Sequence, residues 1–270
     1  MNHLPFLQPD WPAPAHVRSA CSLRSGGVSS APYDTLNLGD HVGDEAAAVV
    51  ANRAAYAKAL GAHPVYLKQV HGWDVVQLSR QTPSGATADA ALTMERGIAC
   101  TMMVADCLPV LFCNRAGTLV GAAHAGWRGL CGEGGSGVLE HFLKRFRHLA
   151  GIEYAQSAMN SGVFSEAEEI LVWLGPCIGP SAFEVGAEVR EAFVQTDAHA
   201  AQHFKPIAGN KYLGDLQALA RQRLASQGIT QIYGNDGSAN WCTVSNPSQF
   251  FSHRRDRISG RFAASVWLEP

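Results

Sequence analysis

The amino-acid sequence predicts an α+β fold, with mixed β-sheets flanked by helices in a single domain over residues 1–270. Three observations carry this expectation. Apolar runs of strand length follow one another through the middle of the chain, and helical periodicity is confined to separate stretches. The two kinds of element also do not alternate as they would around a regular parallel sheet. Hydrophobic residues make up 47% of the chain and charged residues 16%. That is enough apolar material for a packed core and too little charge for a disordered chain.

The first expected element is a strand over residues 17–23, following Pro14. Arg24-Ser25-Gly26-Gly27-Val28-Ser29 reads as a turn-rich loop. Asp44 is placed to cap an alanine-rich helix over residues 45–60, which Gly61 stops. Strands are expected at residues 65–70, 74–78, 98–104, 109–113 and 119–123. Residues 137–149 have helical periodicity through Val138, Leu139, Phe142, Leu143 and Phe146. A strand over 170–174, helices over 185–194 and 216–227, and a closing strand over 262–268 complete the series. Residues 150–167 are small and polar with no sustained period, and are expected to form a surface insertion. No fixed-period repeat is visible.

Charge narrows the class of partner. Lys and Arg total 21 against 23 Asp and Glu, a net charge of -2. The densest basic run, His253-Arg254-Arg255-Asp256-Arg257, is short and broken by an acid. A nucleic-acid partner is therefore not expected, and small molecules are. No apolar run approaches the roughly 20 residues of a membrane helix. The start of the chain lacks the basic and apolar segments of a secretory signal. Seven cysteines, an odd count without paired spacing, fit reduced thiols in a cytoplasmic protein. They are then free for metal binding or catalysis.

Three segments concentrate unusual residues at the ends of expected strands: Leu67-Lys68-Gln69-Val70-His71-Gly72, Val104-Ala105-Asp106-Cys107-Leu108-Pro109, and Ala122-Ala123-His124-Ala125-Gly126-Trp127-Arg128-Gly129. Strand ends are where a rigid sheet aims side chains into a shared pocket. Two imidazoles and a thiolate suit zinc, and three protein ligands leave the fourth position open, as catalytic sites do. Water in that position would lose a proton at about pH 7. The three residues lie far apart in sequence, with no zinc-finger spacing. Taken singly, the histidines also fit loop positions and the cysteine a small core residue.

The ordered set is more specific. It joins Arg24-Ser25-Gly26-Gly27-Val28-Ser29, Leu36-Asn37-Leu38-Gly39, Lys68-Gln69-Val70-His71-Gly72, Ala88-Asp89-Ala90, Ala105-Asp106-Cys107-Leu108-Pro109-Val110 and His124-Ala125-Gly126-Trp127-Arg128-Gly129. Gly175-Pro176-Cys177-Ile178-Gly179-Pro180, Phe183-Glu184-Val185-Gly186, Phe251-Ser252-His253-Arg254-Arg255 and Gly260-Arg261 continue it. In this order the motifs resemble the bacterial YfiH family, also called the polyphenol oxidase or laccase-domain family and the peptidoglycan editing factor family. The resemblance implies an α+β catalytic domain with zinc at His71, Cys107 and His124. It also implies phosphorolysis of adenosine, inosine, guanosine and methylthioadenosine, with deamination of adenosine. Two departures stand out: the 150–167 stretch, and His253 where the family often has tyrosine.

Phosphorolysis calls for a held phosphate, so Arg24 and Arg128 are candidate phosphate clamps, with Lys68 as a third charge. Asn37 and Gln69 are candidates for bonding ribose or base. Asp106 joins the three ligands in the candidate catalytic set, as a histidine-orienting group or proton relay, or as a plain turn cap. Deamination would need an unusual design, because the nucleobase-deaminase Cys-x-x-Cys is absent. Copper, possible in vitro, defines a rival polyphenol oxidase, although no His-x-His pair is present for a copper cluster. A cysteine-type amidase of a cell-wall precursor, with Cys107 as nucleophile, and a non-catalytic binding module are further alternatives. A monomer or weak homodimer is expected.

Overall fold

The computed structural model describes residues 4–151 and 169–270. Its fourteen strands, numbered in chain order, fall into three sheets among the described residues. One sheet of five is built from β1 (Phe6–Leu7), β2 (Val17–Ser22), β3 (His63–Tyr66), β6 (Ile98–Val104) and β14 (Phe262–Leu268), in the order β1-β2-β14-β6-β3. A sheet of six holds β4 (Val75–Gln77), β5 (Ala90–Thr93), β7 (Leu108–Asn114), β8 (Val120–Ala125), β9 (Ile170–Leu174) and β13 (Gln231–Gly234), in the order β13-β9-β7-β8-β5-β4. A small antiparallel sheet orders β10 (Glu184–Gly186), β12 (Lys211–Gly214) and β11 (Phe204–Ile207) as β10-β12-β11. The helices are α1 (Ala46–Leu60), α2 (Trp127–Cys131), α3 (Val138–Ala150), α4 (Ala187–Val194), α5 (Leu216–Ser226) and α6 (His253–Asp256).

The two large sheets pack face to face. Met102, Val104, Phe262 and Ala264 of the first meet Leu111, Ala122 and Trp173 of the second in one buried cluster. Tyr56 and Leu60 of α1 cover the outer face of the five-stranded sheet with Leu36 and Leu38. Phe142 and Phe146 of α3, with residues of α4 and α5, cover the outer face of the six-stranded one. Both faces of β6, β7, β8 and β14 are therefore buried, which is why these strands read as continuous apolar runs rather than alternating ones. None of the described helices is long and apolar enough to cross a membrane.

The α+β expectation holds, with mixed sheets flanked by helices. Strands 98–104, 170–174 and 262–268 fall where the sequence places them. Three local expectations are corrected. Helix α1 starts without a side-chain cap. Asp44 instead accepts hydrogen bonds from Ser29 and Asn37 and from the N–H of Glu45. Residues 185–194 are not one helix, because Glu184–Gly186 pairs with Lys211–Leu213 before α4 begins. The strand expected over 65–70 stops at Tyr66, beyond which Lys68 makes only an isolated bridge to Thr87. The expected insertion at 150–167 lies almost wholly outside the described residues, and its first two positions end α3 at Ala150 and Gly151.

Candidate metal centre and active site

Two loops and one strand end meet at the ends of interior strands. His124 belongs to β8, opposite Pro109 of β7. Asp106 and Cys107 turn the chain between β6 and β7, with Asp106 at φ 93°. His71 lies within the loop between β3 and β4 at φ 60°, a region that non-glycine residues seldom occupy. Donor atoms of His71, Cys107 and His124 all lie within 4.8 Å of one another. Cys107 Sγ is 3.7 Å from His71 Nε2, and the two imidazole rings are 4.8 Å apart, edge to face. Gly126 makes room for this convergence: a Cβ there would come within 2.7 Å of His71 Cδ2 and 3.0 Å of Cys107 Sγ.

One carboxylate organises the cluster. Asp89, fully buried, accepts the backbone N–H groups of Val70 at 3.1 Å, His71 at 2.9 Å and Gly72 at 2.7 Å. It lies 2.8 Å from His124 Nδ1 as well. Burial pushes its carboxyl up, but the bonds from His124, Gly72 and Val70 outweigh this and hold it below the usual range. An ionised carboxylate only accepts, so Nδ1 of His124 carries a proton and Nε2 is the nitrogen left for the cluster. Burial lowers this imidazole, but Cys107 and Asp89 outweigh it and raise it to about 9. Without an ion it therefore pairs as a cation with the Cys107 thiolate, and a metal would displace the Nε2 proton. Burial likewise raises the Cys107 thiol, yet His124 and His71 bring it down to about 6. Cys107 therefore stands ready as the thiolate. Two imidazoles and a thiolate fit one zinc ion, with the tautomer of one imidazole already fixed.

The cluster forms part of the wall of a cavity of about 470 Å³. Trp127, Ile178, Phe183 and Leu216 supply an apolar wall, while His41, His253, Arg254 and Arg261 supply polar groups and charge. Gln69 and Asp106, both expected at the site, line it too. Their polar atoms are already engaged. Gln69 bonds the Met103 N–H and C=O at 2.9 Å each, pinning the His71 loop to β6. Asp106 accepts the Thr243 hydroxyl and the Arg254 N–H at 2.6 Å each, tying the Cys107 loop to the start of α6.

Four other expected residues lie outside that lining. Arg24 spends its guanidinium on the Asp34 and Pro247 carbonyls and the Asp34 carboxylate, over the ring of Phe251. Asn37 is fully buried, its amide bonded to Gly39, Asp44 and the Arg261 N–H. Lys68 is exposed at its isolated bridge, and exposed Arg128 stacks on Trp127 at 4.4 Å. The cavity's cations come instead from the carboxyl-terminal part of the chain. A lone Asp89 between alanines in an apolar run was the one sequence signal for the organising carboxylate. Arg254 and Arg261 stood in motifs without any sign that they face the cluster.

Residues 18–269 match the sequence profile described as multi-copper polyphenol oxidoreductase laccase. The purine nucleoside phosphorylase YfiH of Escherichia coli is 48% identical over 97% of this chain and 98% of that protein. The chain belongs to the YfiH family. A relative from Pseudomonas aeruginosa, also named purine nucleoside phosphorylase, is 47% identical over 98% of both chains. A Neisseria meningitidis structure of the family DUF152 superposes with a TM-score of 0.85 at 42% identity, covering 98% of this chain and 99% of that one. YlmD from Geobacillus stearothermophilus superposes at 0.81 with 28% identity, over 100% of this chain and 98% of its own. The profile's copper description and the relatives' phosphorylase name point to different chemistry. Among the described residues His71, Cys107 and His124 form the one group of three or more such donors, enough for one ion and not for a copper cluster.

Proposed function

We infer that this chain is a zinc-dependent purine nucleoside phosphorylase, with adenosine deamination as a second activity at the same centre. The observation that carries the reading is a single triad of metal donors opening onto a cavity with an apolar wall and two arginines. Relatives that share almost half of the sequence and carry the phosphorylase name support the substrate class. Phosphate and a purine nucleoside are the partners of the main reaction. A phosphate oxygen bonds to C1′ of the sugar, the bond from C1′ to the purine nitrogen breaks, and its electron pair leaves with the base, which takes up a proton.

A zinc ion held by His71, Cys107 and His124 would supply a Lewis acid at the cavity wall. The chain's own groups then position and exclude. Trp127, Ile178, Phe183 and Leu216 offer apolar surface to a flat base and keep water from it. Arg254 and Arg261 bring positive charge to an anion that must approach the sugar. Asp106, with both oxygens already accepting, holds the Cys107 loop and α6 in register.

The test is product analysis with inosine and adenosine, in the presence and absence of inorganic phosphate. The expected products are free base and ribose 1-phosphate, formed only with phosphate, and inosine from adenosine in either case. Free ribose formed equally fast without phosphate makes the protein a hydrolase. Dioxygen uptake with a polyphenol by the copper-loaded protein, without nucleoside turnover, turns the reading to the oxidase.

A further inference from the structure

We propose that Arg261 is the anion anchor of the cavity, taking the phosphate co-substrate through Nε and Nη2. The assignment rests on the phosphorylase reading above and adds the residue that selects its second substrate. Arg261 sits immediately before β14, where its peptide is fixed at both ends. Its N–H donates to the Asn37 side chain at 2.8 Å, and its carbonyl accepts the Leu38 N–H at 3.0 Å. Nη1 is spent on the carbonyls of Ser259 at 2.8 Å and Gly260 at 3.0 Å, which fixes the guanidinium plane. Among the described residues Nε and Nη2 have no hydrogen-bond partner, although the side chain is half-buried in the cavity wall. A planar fork with two donors left over matches two oxygens of one phosphate.

The other cations near the cluster differ from Arg261 in one respect or another. Arg24 has all its nitrogens bonded outside the cavity lining. Arg254 turns Nη1 to the carbonyls of Ala182 and Glu184, toward β10. Among the described residues its Nε and Nη2 are left over as in Arg261, but Arg261 is the one held at both ends of its peptide beside β14. Burial first, and Arg261 second, hold the His41 imidazole below its ordinary value, so at neutral pH it adds no fixed charge. Cys107 and Asp106 are the negative groups that act on Arg261. The anchor thus stands in the wall that also carries the metal cluster.

Asn37 acquires a role in this arrangement. Its Oδ1 accepts both the Gly39 and the Arg261 N–H, so it holds the anchor rather than touching substrate.

Initial rates with inosine and inorganic phosphate each varied, on wild type, Arg261→Gln and Arg261→Lys, test the proposal. The phosphate KM is expected to rise about ten- to a hundredfold in Arg261→Gln, the loss of a charged hydrogen-bonding contact. The inosine KM and the metal content should stay near wild type. Arg261→Lys, which keeps charge without the fork, should fall between, and carries the comparison alone if the glutamine variant is insoluble. An unchanged phosphate KM in the Arg261 variants overturns the assignment, as does a rise found in Arg254→Gln or Arg128→Gln instead. Wild type that makes ribose 1-phosphate while Arg261→Gln keeps its phosphate KM refutes the anchor alone. Wild type that needs no phosphate refutes the phosphorylase reading and the anchor with it.

Discussion

His71 stands in a left-handed conformation that costs a non-glycine residue on the order of 1–3 kcal/mol. Asp89 is what makes that conformation stable here, since it takes the N–H groups on either side of His71 as well as its own. Asp89→Asn should keep the shape but turn a donor toward groups that already donate. Zinc affinity, measured by competition with a chromophoric chelator, is expected to fall about ten- to a hundredfold. Undiminished affinity would show that Asp89 serves the loop and not the metal. Cys107→Ala should differ in kind, losing metal and turnover together; a variant that kept full zinc yet lost all activity would instead make Cys107 a nucleophile. The three candidate metal donors were singled out in the sequence as rare residues beside expected strands and joined by the family resemblance, although His71 lies in the loop beyond Tyr66 rather than at a strand end. Asp89 was quoted only as part of a motif. Arg261 was hidden for a different reason: its meaning depends on which nitrogens the backbone of residues 259 and 260 leaves over, a fact with no trace in spacing.

Elements were read well where both faces are covered and poorly where small residues form strands. Alanine-rich β5 carries little strand propensity and was passed over. It is a strand because Phe142 of α3 packs so closely over its partner β8 that a Cβ at Gly121 would come within 2.5 Å of the ring. The sheet is built of small side chains to admit the aromatic cluster of Phe112, Phe142 and Phe146. Phe142→Ala should therefore cost about 3–5 kcal/mol in denaturant unfolding. A change below about 1 kcal/mol would mean that the layer repacks. Helix α5 is anchored at its start by Asp215, whose side chain accepts the Ala218 N–H. Asp215→Ala should lose about 1 kcal/mol, and a neutral result would show that this cap is dispensable. Glu184–Gly186 escaped the sequence reading because its partner, Lys211–Gly214, is short and half-exposed.

At the scale of the molecule, the candidate metal donors lie where the two large sheets and α6 come together, so an ion held there would be linked to folding. Removing zinc with a chelator should lower the thermal midpoint and readdition should restore it, as for any ligand that binds only the folded chain. A midpoint unaffected by chelation would separate the site from the fold. The layered α+β architecture was visible from continuous apolar runs, whereas the cavity was not, because its walls come from segments more than 200 residues apart, from His41 to Arg261. The carboxylate of Asp89 has one more consequence, in time rather than in energy. Three successive amides, at residues 70, 71 and 72, share a single buried acceptor. They can exchange their hydrogens with solvent only when that acceptor lets go, so in deuterium oxide they should exchange as a group and slowly. Stripping the metal should leave this protection largely in place, while Asp89→Ala should release all three at once. The loop would then be seen to stand ready before any ion arrives.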